Sequence, residues 1–235
     1  MTEALSLPPS IQERTSGWVK IQERRAREAV PFLPGPTITL SRQFGCEGFP
    51  LSLRLKALLE AQGGEEWGLF DKELLAKVSQ DEGISMRLLS RLGDPALGLE
   101  SFGFHPRGAV TGWEAYARLA ETLLAIARHG RTIIVGQGGA ILCRELENCF
   151  HFRLEASFEW RVASYARRMG VSTAQAEHRV KSQGKIRDRF IQDCLDADLS
   201  DRSHYDAIFN NERHSLEQIA GAIVAYVLSA RPLRT

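Results

Sequence analysis

The stretch TITLSRQFGCEGFPLSLRLKALL, residues 37–59, is the part of the sequence that decides the fold. It begins with a β-branched and aliphatic run at 37–40, which favours a strand, and it ends in a leucine-rich segment with helical spacing. A turn containing Gly45 and Gly48 joins the two, and Pro50 suits the first turn of the helix, where it removes no hydrogen bond. Because a strand, a glycine turn and a helix N-terminus present free N–H groups to an anion, this stretch predicts a phosphate-binding connection.

The match to a complete phosphate loop is partial. The full pattern is G-x-x-x-x-G-K-[ST], whereas Phe49 and Pro50 follow Gly48 in this chain. No Ser or Thr suited to bind Mg²⁺ follows the turn directly, since Ser52 lies further into the helix. Two interpretations therefore stay open, a nucleotide phosphate site and a tight strand–helix connection without a ligand.

Composition and charge exclude several classes of protein. The chain has 235 residues, of which 43% are hydrophobic and 25% are charged, as in ordinary globular domains. Its formal net charge of +1 gives no global signal for nucleic-acid binding. No apolar run reaches the roughly 18 residues that a membrane span needs, and the N-terminus lacks a signal-peptide pattern. We therefore expect a cytoplasmic protein with no nucleic-acid or membrane partner.

The cysteines and histidines give no metal signal. The four cysteines show neither a C-x-x-C pair nor zinc-site spacing, and the six histidines form no H-E-x-x-H pattern. We expect reduced thiols and no metal centre built on these side chains.

Strand and helix patterns alternate along the rest of the chain. Further strands are predicted at 67–70, 132–135, 150–154 and 207–209, with helical periodicity between them. Gly136, Gly138 and Gly139 form a second glycine turn, and the glycines and prolines of 93–110 indicate a long loop. This order predicts a three-layer α/β fold with a mainly parallel sheet.

The N-terminal 36 residues are predicted to be an extension. Residues 1–9 look disordered, and the capping-box pattern of Ser10 and Glu13 opens a helix that ends near Ala29. Its apolar stripe predicts packing on the main domain or on a second subunit in a homodimer.

A local excess of cations follows residue 160. Eight Lys and Arg residues lie between Arg161 and Arg189, against only Glu177 and Asp188. The simpler interpretation is a solvated helical face. The alternative is that Lys185, Arg187 and Arg189, after a turn at 182–184, form a mobile clamp over phosphates.

Five motifs in consistent order resemble the cytidylate kinase-like family of P-loop nucleoside monophosphate kinases. They cover about residues 37–228 and are SRQFGCEGFPL at 41–51, FDKELL at 70–75, IIVGQGGAIL at 133–142, GKIRDRF at 184–190 and YDAIFNN at 205–211. The resemblance implies a P-loop NTPase-like fold with a five-stranded parallel sheet in one domain, 37–230. It also implies an acceptor-side insert at about 71–112, a helical lid at about 172–200, and the use of ATP and Mg²⁺.

The resemblance also assigns roles to individual residues. The residues it places at the donor phosphates are Arg42, Gly45, Cys46, Glu47 and Gly48. It places Asp71, Lys77 and Gln137 at the acceptor. Asp71 is equally suited to be a helix N-cap. The catalytic lid cations that it implies are Lys185, Arg187 and Arg189.

Departures from the family pattern cluster at the phosphates. Glu47 stands in place of a loop glycine and brings negative charge toward a polyphosphate, while Phe49 and Gln137 each replace an arginine. The lid Asp and Tyr are Gly184 and Phe190 here. The leading hypothesis is an ATP-dependent phosphotransferase acting on a nucleotide such as CMP or a related small acceptor. The alternative is a catalytically degenerate kinase-like module that binds a nucleotide or regulates a partner.

A dinucleotide-binding oxidoreductase is a weaker third hypothesis. It rests on GQGG at 136–139, and the chain lacks the acidic residue that should follow about 20 positions later at a second strand end.

Overall fold

A computed structural model of the protein describes residues 35–80 and 113–230. Its strands are β1 (Thr37–Arg42), β2 (Gly68–Phe70), β3 (Thr132–Val135), β4 (Cys149–Glu155) and β5 (Ala207–Asn210). Its α-helices are α1 (Gly48–Gly63), α2 (Lys72–Gln80), α3 (Trp113–His129), α4 (Gly139–Leu142), α5 (Phe158–Met169), α6 (Thr173–Leu195) and α7 (Leu216–Ala230), and a short 3₁₀ helix covers Arg202–His204.

The five strands form one sheet in the order β2-β3-β1-β4-β5, and every pairing is parallel. The predicted α/β fold with a parallel sheet is thereby confirmed. Parallel sheets are covered on both faces, which explains why β3 reads as the unbroken apolar run TIIV.

Two hydrophobic cores fill the two faces of the sheet. Successive β3 side chains alternate between them, because the side chains of a strand point to opposite faces. Ile133 packs with the apolar stripes of α1 and α7, whereas Ile134 packs with those of α2, α3, α4 and the end of α6. The layers are therefore helix, sheet and helix.

The register brings both glycine turns to the carboxyl edge of the sheet. Leu40 of β1 pairs with Val135 of β3, and Arg42 pairs with Leu154 of β4. One turn follows β1 and the other follows β3, the neighbouring strand. The two strands are linked at this edge because Gly136 N donates to the Leu40 carbonyl at 3.0 Å. Ligands of open α/β sheets bind at this edge, where the strand order reverses.

Local capping signals explain where several helices begin. Asp71 Oδ1 accepts from the N–H of Leu74 at 3.0 Å, so Asp71 is the predicted N-cap of α2. Ser172 and Gln175 form the capping box of α6. The Ser157 hydroxyl caps α5 by accepting from the N–H of Trp160.

The prediction of a turn at 182–184 is wrong. Helix α6 runs without a break from Thr173 to Leu195. Gly184 is tolerated inside it because the flanking residues favour a helix. The basic motif therefore sits on a regular helix and not on a mobile turn.

Several predictions fall on residues outside the described ranges. These are the N-terminal extension up to residue 34 and the loop at 93–110. The short helix that the sequence pattern favours at 85–92 and the capping box that it favours at Thr111 also lie there. The domain boundaries stay predictions. In the ranges that are described, no helix is long and apolar enough to cross a membrane.

Candidate functional site

The first glycine turn lies between β1 and α1. Gly45 has φ +100, a conformation that glycine adopts without strain, and Cys46 N donates to the Gln43 carbonyl at 3.1 Å. Within residues 35–80 and 113–230, the N–H groups of Gly45 and Gly48 have no hydrogen-bond acceptor. The turn thus keeps two backbone donors available at a helix N-terminus.

Arginines from later in the chain hold the carbonyl groups of this turn. Guanidinium groups donate to three of them: Arg161 to Phe44 at 3.0 Å, Arg187 to Arg42 at 3.1 Å, and Arg168 to Gly45. In a trans peptide the C=O and the following N–H point in opposite directions. The Arg161 contact therefore directs the N–H of Gly45 away from the arginine, as an anion site requires. The N–H groups that follow the other two carbonyls donate within the protein, Gln43 N to Leu154 and Cys46 N to Gln43.

The side chain of Arg42 runs between the two glycine turns. A Cβ on Gly136 would lie 2.0 Å from Arg42 Nη1, and a Cβ on Gly48 would lie 3.0 Å from Arg42 Cδ. Burial, together with the charge of Arg187, lowers the pKa of Arg42 to about 9, and nearby Asp71 opposes this shift. Neutral pH leaves the guanidinium charged, so it gains from any anion brought beside it.

Arg187 approaches the same turn from α6. Its guanidinium lies over the Phe44 ring, 5.3 Å from the centroid, and burial lowers its pKa. In the described part of the chain, neither Arg187 nor Arg42 has a carboxylate within ion-pair distance. Two half-buried cations therefore meet beside the free N–H groups of the turn.

Arg153 is a third cation at this edge, and sequence reasoning missed it. Its side chain is only 7% exposed, and Glu155 pairs with it at 2.7 Å. Although burial alone would lower the pKa of Arg153, the hydrogen bonds that it donates to Glu155 and Tyr205 hold that pKa above its usual value. A charged residue inside the apolar pattern of β4 was the signal available in the sequence.

The second glycine turn packs tightly against neighbouring side chains. Gly138 has φ +72, and a Cβ there would lie 2.6 Å from Leu195 Cδ1 and 2.8 Å from the Tyr116 hydroxyl. Tyr116 also donates to the Gln137 carbonyl at 3.1 Å. The first turn is also tightly packed, since a Cβ on Gly45 would lie 2.7 Å from Arg161 Cβ.

The structure separates the three predicted lid cations. Because successive helical residues are about 100° apart, Lys185 and Arg189 share a face of α6 and Arg187 lies on the opposite one. Lys185 is exposed, and Arg189 is 85% exposed beside Asp193, 3.7 Å away. Only Arg187 of the three contacts the glycine turn.

Some of the other predicted site residues also lie near the two turns, and others do not. Asp71 lies close enough to Arg42 to influence its pKa, and the Gln137 backbone is part of the second turn. Lys77 is exposed on α2. Cys46 is buried in the core shared with α1 and α7, so its thiol does not face the turn's donors.

Glu47 does not extend into the anion site. Its carboxylate accepts from the Ser164 hydroxyl of α5 at 3.0 Å and lies 3.4 Å from the Arg167 guanidinium. The expected repulsion of a polyphosphate is reduced accordingly, because the charge is compensated by α5.

Few groups at the turn are suited to hold Mg²⁺. The Ser52 hydroxyl donates to the Phe49 carbonyl at 2.7 Å and is buried. The described residues contain no group of three or more His, Cys, Asp or Glu side chains that would hold a metal ion. The arginines and N–H groups fit phosphates, and among the described residues no such cluster of acidic, His or Cys side chains lies beside them.

Comparisons with known proteins give the family and the fold. The model of the cytidylate kinase-like family matches residues 37–213. No curated protein matches the sequence. A crystal structure of an uncharacterized protein from Eubacterium ventriosum superposes with a TM-score of 0.65 at 18% sequence identity, covering 83% of this chain and 98% of that one. At this identity the likeness concerns the fold alone.

Proposed function

Because the chain belongs to the cytidylate kinase-like family, we propose that it is an ATP-dependent phosphotransferase that acts on a nucleotide such as CMP or a related small acceptor. The observation that carries this proposal is the meeting of Arg42 and Arg187 beside the free N–H groups of Gly45 and Gly48. Phosphoryl transfer depends mainly on positioning and on charge stabilisation, and these groups supply both.

The energetic reason is that Arg42 and Arg187 are two like charges held close together. Two partly buried guanidinium groups repel each other, and each loses hydration. A phosphate group that accepts from both would offset these costs and gain charge-assisted, bidentate hydrogen bonds. The site is therefore more complementary to a polyanion than to water.

The proposal gives the predicted residues different tasks. Arg42, Arg187 and the N–H groups of the first turn would bind the donor phosphates. Lys185 and Arg189, which are exposed, would attract the anion at longer range. Asp71, Lys77 and Gln137 would lie on the acceptor side. Mg²⁺ would supply charge neutralisation and would arrive with ATP.

The direct test is calorimetric titration with ATP–Mg²⁺, followed by a coupled assay of ADP release with each common nucleoside monophosphate. We expect saturable ATP binding and ADP release that depends on one class of acceptor. The Arg42→Gln variant should lose binding, and Glu177→Gln, which breaks an exposed pair on α6, should behave like wild type. Absence of ADP release with every acceptor would exclude the kinase assignment.

The second candidate is a kinase-like module that binds nucleotide without turnover. The observation that favours it is the complete burial of Ser52, so that in the described part of the chain the turn lacks the usual Mg²⁺ ligand. Saturable ATP binding with no phosphoryl transfer to any acceptor would identify this case.

A further inference from the structure

A hydrogen-bond network connects Glu47 to α5. Its carboxylate accepts from Ser164 Oγ at 3.0 Å, and Arg168 Nε donates to the same hydroxyl at 3.3 Å. Arg168 then donates through Nη2 to the Gly45 carbonyl of the turn. Two points of the glycine turn, the Glu47 side chain and the Gly45 carbonyl, are thus joined through α5.

Two further contacts stabilise this arrangement. Arg167 lies 3.4 Å from the Glu47 carboxylate, which is only 17% exposed. The backbone N–H of Glu47 donates to Asn211 Oδ1 at 2.8 Å. The residue is therefore held on its backbone by the chain after β5 and on its side chain by α5.

We propose that Glu47 is a positioning residue for anion binding. It holds Arg168 against the Gly45 carbonyl and so fixes the Gly45–Cys46 peptide, whose N–H closes the turn on the Gln43 carbonyl, in the conformation that presents the N–H groups of Gly45 and Gly48 to the ligand. This inference rests on the proposed function, because it takes a nucleotide phosphate to be that ligand. Removing the carboxylate releases Arg168 and lets the Gly45–Cys46 peptide rotate, so the turn loses its preorganisation.

The opposite expectation follows from charge alone. A carboxylate beside a polyphosphate repels it, so its removal should strengthen binding. In this structure Arg167 and Arg168 compensate that charge, and the side chain acts through its contacts. The two accounts predict effects of opposite sign.

The experiment measures the affinities of ATP–Mg²⁺ and of pyrophosphate for wild type, Glu47→Ala, Glu47→Gln, Ser164→Ala and the control Glu177→Gln. We expect Glu47→Ala to bind both ligands about tenfold more weakly, as for the loss of a hydrogen bond to a charged group. Glu47→Gln retains an acceptor for Ser164 and should lose only about threefold. Equal or tighter binding by Glu47→Ala would overturn the proposal.

A ligand-free measurement separates this proposal from the proposed function. Amide hydrogen exchange at residues 43–48 should become about tenfold faster in Glu47→Ala, intermediate in Glu47→Gln and unchanged in Glu177→Gln. Unchanged exchange in Glu47→Ala would overturn the positioning role. If wild type binds neither ligand, the proposed function fails, and the exchange rates alone decide whether Glu47 orders the turn.

Discussion

The two glycine turns of this protein look alike in sequence and do different work in the fold. In the first, 43–48, arginines hold the carbonyl groups from outside and leave the N–H groups of Gly45 and Gly48 without acceptors in the described part of the chain. In the second, 136–139, the N–H groups of Gly136 and Gly139 donate within the protein, to the carbonyls of Leu40 and Gly136, and Gly138 packs against Leu195 and Tyr116. Glycine content alone does not distinguish a ligand-binding turn from a packing turn.

The second turn nevertheless determines where the Arg42 side chain of the first site can lie. Gly136 leaves the space that the Arg42 guanidinium occupies, and a methyl group there would overlap with Nη1. The cation that we assign to the phosphate therefore depends on a glycine of the other turn. The comparison predicts that Gly136 and Gly138, two residues apart, have separable roles in binding and in stability.

Replacing Gly138 by alanine should have the largest effect. The substitution combines a strained positive φ with contacts at 2.6 Å and 2.8 Å to Leu195 and Tyr116, so we expect a loss of about 2–4 kcal/mol in the free energy of unfolding. Urea denaturation measures this loss. Gly170→Ala is the matched control, since Gly170 has φ +64 with nothing within 4 Å, and it should cost about 1 kcal/mol. Equal losses in both variants would contradict the packing role of the second turn.

Replacing Gly136 by alanine should instead weaken binding. Its Cβ would displace the end of a flexible side chain, so the stability cost should be close to that of Gly170→Ala, whereas the Arg42 guanidinium must leave its position. We expect ATP affinity to fall about 30-fold, which corresponds to about 2 kcal/mol. Calorimetric titration measures the affinity. An unchanged affinity would show that Arg42 is not a phosphate ligand.

Replacing Arg187 by glutamine should weaken ATP binding about tenfold, because one charge-assisted contact to phosphate is lost. Arg189→Gln is the control on the same helix and should change the affinity by less than about twofold, since its exposed guanidinium pairs only with Asp193. The same titration compares them. Similar losses in the two variants would mean that the cations of α6 attract ATP through their combined charge and that Arg187 makes no specific contact with phosphate.

Replacing Cys46 by serine should have the smallest effect on binding. The thiol faces the core, so we expect a change in ATP affinity of less than about twofold and a stability cost of about 1 kcal/mol for burying a hydroxyl. A larger loss of affinity would place the thiol among the phosphate contacts.

The pH dependence of stability tests the same placement. Burial raises the pKa of Cys46 from 9.0 to about 12, although Arg161 opposes this shift. Above pH 9.0 the unfolded chain therefore releases the thiol proton first, and the free energy of unfolding falls between pH 9.0 and about 12. Denaturation of Cys46→Ser across this range should show a shallower decline than that of wild type.

The elements and the fold follow from local signals in the sequence. These signals are the β-branched and aliphatic runs of β1 and β3, the caps at Asp71, Ser157 and Ser172, and the order of strands and helices, and the structure contains each of them. Such signals depend on residues within a few positions of one another, which is why they can be read from one chain. The turn at 182–184 was predicted wrongly because a glycine inside a helix gives the same local signal as a turn.

Only the tertiary structure decided which charged residues meet. Helical geometry brings Arg187 to the turn and leaves Lys185 and Arg189 outside, although the motif presents the three cations as equivalent. The contact between Glu47 and Ser164 joins positions 117 residues apart. Whether a buried charge is compensated, and whether a backbone donor stays free, depends on packing between distant segments, and no local pattern encodes it.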